Sequence, residues 1–450
     1  MSSTKQEVEQ NKVLDLTEAA QFALDFAKQK GAHQAEASLH HGTGLSITVR
    51  QQQLETIEKH NDGQLVVTVF QDHKTGSASS ADLTPVGIKE TVEAALSIAS
   101  FTGADKCLGL ADAHRMATDL RDLDQNHAWD KSTDEFVDMV MRCEAAAVGF
   151  DERITNSEGA SVSTYQGSGV YANSHGFLNQ VFGSQHSLSC SVIAADSNGM
   201  QRDYWYDSNR NPTHLDTAEQ IGLKAGERTV ARLGARKIRS QSAPILFDPI
   251  TAKSLIGHLL GSLKGGAIYK KASFMLDRVG DPIMPAHVTI SENAHLQSAN
   301  NSAMHDAEGV ATQPQRLIVD AGTLQGYILG SYTARKLGLE STANAGGVRN
   351  VRVSNTGQSA RELYQQMGTG LLVTELIGSG TNMVTGDYSR GAAGFWIENG
   401  EIAFPVEEIT IAGNLLTMLQ NIVAIGNDTD TRGNTHCGSI LLENMTIAGS

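Results

Sequence analysis

His436 and Cys437 stand side by side near the end of the sequence, and a thiol beside an imidazole is the chemistry of a nucleophile and its base. Adjacent residues of an extended chain point to opposite sides, so these two cannot act on one another. On that evidence a buried structural cysteine outweighs a catalytic one. A second grouping lies in an apolar helix expected over residues 250–263. Its period places Leu255, Ile256, Leu259, Leu260 and Leu263 on one face. Ser254, Gly257, His258 and Gly261 fall on the other, with Gly265 if the helix extends that far. Glycine inside a helix costs about 1 kcal/mol relative to alanine, so this spacing needs a reason. Either a cavity, a substrate or another backbone comes close to this face, or the face packs tightly on a neighbouring strand. His258 alone reads as a surface or packed histidine. Third, Gly-Thr-Gly at 368–370 and Gly-Ser-Gly at 378–380 flank an apolar strand over 371–377. Such a strand belongs in a core, although it could also pair with an extended peptide.

The missing motifs are as informative. None of the 15 histidines is followed by glutamate, so neither HExxH nor HExxxH occurs. In those helical sites two histidines ligate zinc and the glutamate activates water. There is no GxSxG elbow, no GxGxxG and no Gly-Lys pair for a phosphate-binding loop.

These residues must be positioned by a chain of 450 residues, for which two or three domains are the expectation. Apolar residues make up 40% and charged residues 19%, the balance of an ordinary globular protein. Thirty-five basic against 50 acidic residues give a formal charge of −15, which would repel phosphate backbones, so no direct nucleic-acid partner is expected. The polar start, residues 1–6, has no apolar stretch and does not read as a signal peptide. No run approaches the roughly 20 apolar residues of a membrane span. Cys107, Cys143, Cys190 and Cys437 lie far apart, which suits reduced thiols in the cytoplasm, the first three as core residues.

Along the chain, a helix is expected from Thr17 to a stop at Gly31, then strands at 45–49 and 65–70 separated by the turn signal Asn61-Asp62-Gly63. Thr84-Pro85 opens a second helix and the capping box Ser132-x-x-Glu135 a third, with a polar connector over 101–130 between them. Strands follow over 153–207 with turns at 173–176 and 196–199, then a helix over 217–233. The basic segment Arg236-Lys237-Ile238-Arg239 reads as a solvated linker. Beyond it come a strand over 244–247, the apolar helix, and short strands with one further helix at 359–367. Clustered rather than alternating elements predict an α+β, multi-domain fold with an N-terminal α/β sandwich-like region and a β-rich C-terminal domain. The expected domains are 1–120, 121–240 and 241–450.

Residues 386–414, GDYSRGAAGFWIENGEIAFPVEEITIAGN, resemble the signature of the TldD/PmbA family, in particular its PmbA (TldE) branch. RITNSEG at 153–159, NSHG at 173–176, RKLGL at 335–339, MGTGLLVTELIGSG at 367–380 and GNDTDTRGNTHCGSILL at 426–442 also match, in order. So does Gly76-Ser77-Ala78-Ser79-Ser80. The resemblance implies a cytoplasmic metalloprotease system in which a TldD-type subunit pairs with a PmbA-type subunit around an enclosed cavity. The pair trims small, largely unfolded polypeptides, including modified peptide precursors and an antitoxin. An older family naming as modulators of DNA gyrase gains no direct support from the −15 charge. The family's zinc site is HExxxH plus a later cysteine. Here Gly257 replaces the first histidine, His258 the glutamate and Ser262 the second histidine, while Cys437 fits the cysteine. The resemblance therefore implies no zinc in this chain, zinc in a TldD-like partner, and a pseudoenzyme that is inactive alone. In isolation a homodimer could stand in for the mixed pair. Two alternatives are an autonomous metallopeptidase with an unorthodox site around Cys437, and a regulator that binds peptides without hydrolysis.

Overall fold

The computed structural model describes residues 15–449, so the reading of residues 1–6 lies outside the described part. Helix α1 (Leu16–Gln29) starts where Asp15 accepts the Glu18 N–H at 2.8 Å, and Gly31 ends the turn after it with φ +94°. Then come β1 (Gln34–Arg50), β2 (Gln53–Gln71), β3 (Lys74–Ser80) and α2 (Pro85–Phe101), the last capped by Thr84. After the connector, α3 (Thr133–Val148) opens on the Ser132–Glu135 capping box. It is followed by β4 (Ile154–Asn173), β5 (Leu178–Asp196), β6 (Gly199–Asn209) and α4 (Ala218–Ala231).

The six strands form one antiparallel sheet in the order β3-β2-β1-β4-β5-β6. The N-terminal and middle stretches are thus two halves of a single sheet, joined where β1 runs beside β4 from Glu36↔Asn173 to Val49↔Ala160. The strands are long because each serves two helical layers. Ala35, Ala37 and Leu39 of β1 are buried with α1 and α2, whereas Ile47 and Val49 of the same strand are buried with α3 and α4.

The turn expected at Asn61-Asp62-Gly63 is not a turn. Those residues run within β2 opposite Thr43, Gly42 and His41. The chain reverses instead at Gln51 and Gln52, with φ of 52° and 58°. Two non-glycine residues hold this left-handed conformation because Glu144 of α3, fully buried, accepts the N–H of Gln51 at 2.8 Å and of Gln52 at 2.7 Å. A tertiary contact replaces the local glycine signal.

The C-terminal part begins with β7 (Gln241–Phe247) and α5 (Pro249–Ser262), followed by α6 (Gly265–Tyr269). Next are β8 (Ile290–Glu292), β9 (Arg316–Asp320), β10 (Thr323–Leu324), α7 (Ser331–Leu337), β11 (Val351–Val353) and α8 (Ala360–Met367). The rest comprises β12 (Gly370–Ile377), β13 (Asp387–Glu398), β14 (Glu401–Asn414), α9 (Leu415–Gln420), β15 (Ile422–Ile425), β16 (Thr435–His436) and β17 (Ile440–Ala448). Helices α6, α7 and α9 are unanticipated, being too short to display a period in sequence.

The larger sheet has the order β14-β13-β12-β7-β17-β15, and β14 also pairs with β17, so its first five strands close a ring. Within β7, Ile245 and Phe247 share a core with Leu255 and Leu259 of α5, while Leu246 packs with Leu363 and Met367 of α8. The segment at 236–239 is docked rather than a free linker. Arg236 bridges to Val406 and lies 3.6 Å from the Phe404 ring centroid, and Ile238 is buried in the C-terminal core. Among the described residues no helix is long and apolar enough to cross a membrane.

Candidate functional site

Helix α5 carries the residues singled out in the sequence. Asp248 caps it, accepting the Thr251 N–H at 2.8 Å and the Thr251 hydroxyl at 2.7 Å. Leu255, Ile256, Leu259 and Leu260 are buried, as the period requires. The glycines of the other face have three different surroundings. A Cβ at Gly257 would meet nothing within 4 Å, and one at Gly261 would make ordinary contact with Met383 at 3.5 Å. At Gly265 a Cβ would strike Thr333 at 2.5 Å, and this residue already belongs to α6. Open space lies over the first glycine, while the last packs tightly against Thr333 of α7 rather than against the neighbouring strand expected from the spacing.

Burial pushes Asp248 up to about 6, against opposing hydrogen bonds from Thr251 and the charge of Arg228. A carboxyl whose folded value exceeds its ordinary 3.8 contributes stability below about pH 4 and loses it as pH rises through about 6. An asparagine in its place would keep the cap without the titration. Relative to wild type, Asp248→Asn is therefore expected to gain about 2–3 kcal/mol between pH 4 and 7, as read from urea melts at each pH.

His258 is half-buried. Its Nε2 lies 3.5 Å from Ser254 Oγ, and its ring meets Tyr388 edge-on at 6.0 Å. Burial, then the charge of Arg390, lowers its basicity. Arg390 of β13 donates to Ser254 Oγ at 3.0 Å. Burial pushes the Tyr388 hydroxyl up to about 12, with Arg390 opposing. Ser262 faces inward: it is fully buried, its hydroxyl donates to the Leu259 carbonyl at 2.6 Å, and its own carbonyl accepts from Ser273 at 2.6 Å.

Cys437 is fully buried, with Sγ 3.2 Å from the Gly438 carbonyl. Burial pushes its thiol up to about 12, the nearby charge of Lys253 opposing. Lys253 lies one helical turn before Gly257. It pairs with Asp430 at 3.0 Å and donates to the Arg432 carbonyl at 2.6 Å. Arg432 grips the same carboxylate through Nε at 2.9 Å and Nη2 at 3.0 Å, and its guanidinium lies 4.1 Å from the Trp205 ring centroid. Burial raises Asp430, but these hydrogen bonds and the Lys253 charge outweigh it and hold the carboxyl below its usual range. Trp205, Asp207, Asp248, Asp430 and Arg432 line a cavity of ≈ 490 Å³ at this end of α5.

Zinc requires about three deprotonated protein donors at fixed geometry. Gly257 has no donor, Ser262 is tied to its own helix, Cys437 keeps its proton, and an ammonium lies within its field. These residues do not fit a zinc ion, and among the described residues no group of three or more His, Cys, Asp or Glu could hold a metal. The structure brings His258 to Ser254, Tyr388 and Arg390, and Cys437 to Lys253 and Asp430. Lys253, Arg390 and Arg432 were not singled out in the sequence. The available signals were the i, i+4 spacing of Lys253 to Gly257 and the place of both arginines within the matching segments 386–414 and 426–442.

Domain models of one family match in order: PmbA/TldA metallopeptidase domain 1 over 35–99, its central domain over 126–233 and its C-terminal domain over 240–449. Metalloprotease PmbA of Escherichia coli O157:H7 is 46% identical over 440 residues, covering 98% of this chain and 97% of that protein. A Bacteroides thetaiotaomicron protein with the working description of a DNA gyrase modulator superposes with a TM-score of 0.92 at 27% identity, over 98% of this chain and 100% of its own. TldE of Thermococcus kodakarensis has the same fold, with a TM-score of 0.85 at 20% identity over 96% of this chain and 100% of its own.

Proposed function

The chain belongs to the PmbA/TldD metallopeptidase family, and we propose that it is the zinc-free subunit of a two-subunit peptidase in the cytoplasm. In this reading a TldD-like partner supplies the zinc and the catalytic glutamate. This chain completes the chamber that receives small unfolded polypeptides and peptide precursors. The observation that carries the reading is Gly257, a ligand position with no donor atom and nothing within 4 Å of where a Cβ would stand. Ser262 turned inward and Cys437 protonated beside Lys253 support it.

The test is zinc content and cleavage of an unfolded peptide by this chain alone, by its TldD-like partner alone, and by the mixture. Zinc and chelator-sensitive cleavage that require the partner, with faster cleavage when this chain is added, are the expected outcome. Stoichiometric zinc with cleavage by this chain alone would overturn the proposal.

A further inference from the structure

A second cleft opens on the far side of α5's first turn, between the N-terminal sheet and the closed ring. It encloses ≈ 300 Å³ and is lined by Arg202 and Asp203 of β6, Arg228 of α4, Arg232 just beyond it, Glu375 of β12 and Arg390 of β13. Four guanidiniums thus face two carboxylates.

The pairing is incomplete. Asp203 takes Arg228 at 3.2 Å and Arg232 at 3.5 Å, and Arg232 also reaches Glu375 at 2.6 Å. Arg202 is paired at the exposed rim with Glu158 at 3.2 Å. Among the described residues Arg390 has no carboxylate within 4.0 Å, and its hydrogen bond goes to the neutral hydroxyl of Ser254. The Nε atoms of Arg228 and Arg390 are both buried without a hydrogen-bond partner in the described structure. Guanidinium cannot shed its proton, so the half-buried Arg390 keeps its charge in the cleft with no carboxylate beside it. Two of the arginines that line the cleft thus have an incomplete set of acceptors.

We infer that this cleft receives the terminal carboxylate of a peptide. A carboxylate is planar and offers two oxygens, the complement of a guanidinium edge. The cleft is at the small end for ligand pockets and suits one terminal residue rather than a nucleotide. The chain's −15 charge disfavours polyanions, whereas the local excess of guanidinium accommodates a single negative charge. Thr374 lies in the lining where β12 bulges, its partners in β13 passing from Val373↔Gly394 to Glu375↔Ala393, so its backbone is released from that ladder. Arg390 and Ser254 then link the carboxylate to His258 on the open face of α5. The assignment of a peptide as ligand rests on the function proposed above.

The test uses the full-length chain and a fluorescein-labelled hexapeptide of glycine, serine and alanine, followed by fluorescence anisotropy. The free acid is expected to bind roughly tenfold or more tightly than the same peptide ending in an amide. Arg390→Gln should remove that preference without lowering the thermal midpoint, and Arg390→Lys should retain only part of it. Equal binding of acid and amide by the wild-type chain overturns the inference without recourse to any variant. So does an amide peptide with an internal aspartate that binds as well as the acid, since the carboxylate would then be a side chain's. Inorganic phosphate displacing the peptide at lower concentration than acetate overturns the carboxylate assignment. If the mixed subunits cleave peptide while this chain shows no acid preference, only the cleft assignment falls. The reverse result removes only the partner-subunit reading.

Discussion

Writing the HExxxH pattern into α5 through Gly257→His, His258→Glu and Ser262→His is expected to destabilise the chain by about 3 kcal/mol and to yield only substoichiometric zinc. The three positions do not share the burden. Gly257 has nothing within 4 Å of a new Cβ, and glycine is a poor helix residue, so histidine is accommodated there. A glutamate at 258 would lose the edge contact with Tyr388 and gain the charge of Arg390. Position 262 bears the cost: it is fully buried, its hydroxyl is satisfied by Leu259, and an imidazole must push neighbours aside. Cys437 would still have to lose a proton held up to about 12, with Lys253 repelling any cation that approached. Metal analysis after gel filtration and a urea titration of the variant provide the readouts. One zinc per chain at an unchanged midpoint would show that the pocket is still a metal site in waiting.

Glu292→Ala is expected to cost about 3–5 kcal/mol, among the largest losses a single substitution can produce in this molecule. Glu292 of β8 is buried and holds three groups at once. It accepts Arg316 Nε at 3.0 Å, Asn344 Nδ2 at 2.8 Å and the Arg349 N–H at 2.6 Å. Removing it leaves the Arg316 charge, itself 15% exposed, without its carboxylate and strands two further donors. Glu292→Gln keeps an acceptor and should lose less. Denaturation followed by fluorescence checks both, and a loss under about 1 kcal/mol for the alanine variant would mean water repairs the network.

Helices were legible in the sequence where a cap announces them. Thr84-Pro85 and Ser132 with Glu135 begin helices where expected, because a cap is a contact between residues three apart. Strand lengths were not legible, since residues 34–50 are buried against two helical layers, three of whose four helices come from distant sequence. The Gln51–Gln52 turn was hidden for the same reason: its stabiliser, Glu144, comes from α3. At the candidate site, the buried leucine face of α5 followed from periodicity alone. The surroundings of Arg390 depended on how β13 arrives beside α4, β6 and β12, and nothing local encodes that.

The seam between β1 and β4 has a consequence for how the chain acquires its shape. Residues 36–49 wait for partners at 160–173, so during synthesis the first three strands exist for some time with one long edge unsatisfied. Such an edge invites pairing with another chain, and closing a loop of this length slows the search for the right partner. A fragment ending in the connector at 101–130 should consequently aggregate rather than fold, even though its helices and hairpins are locally sound.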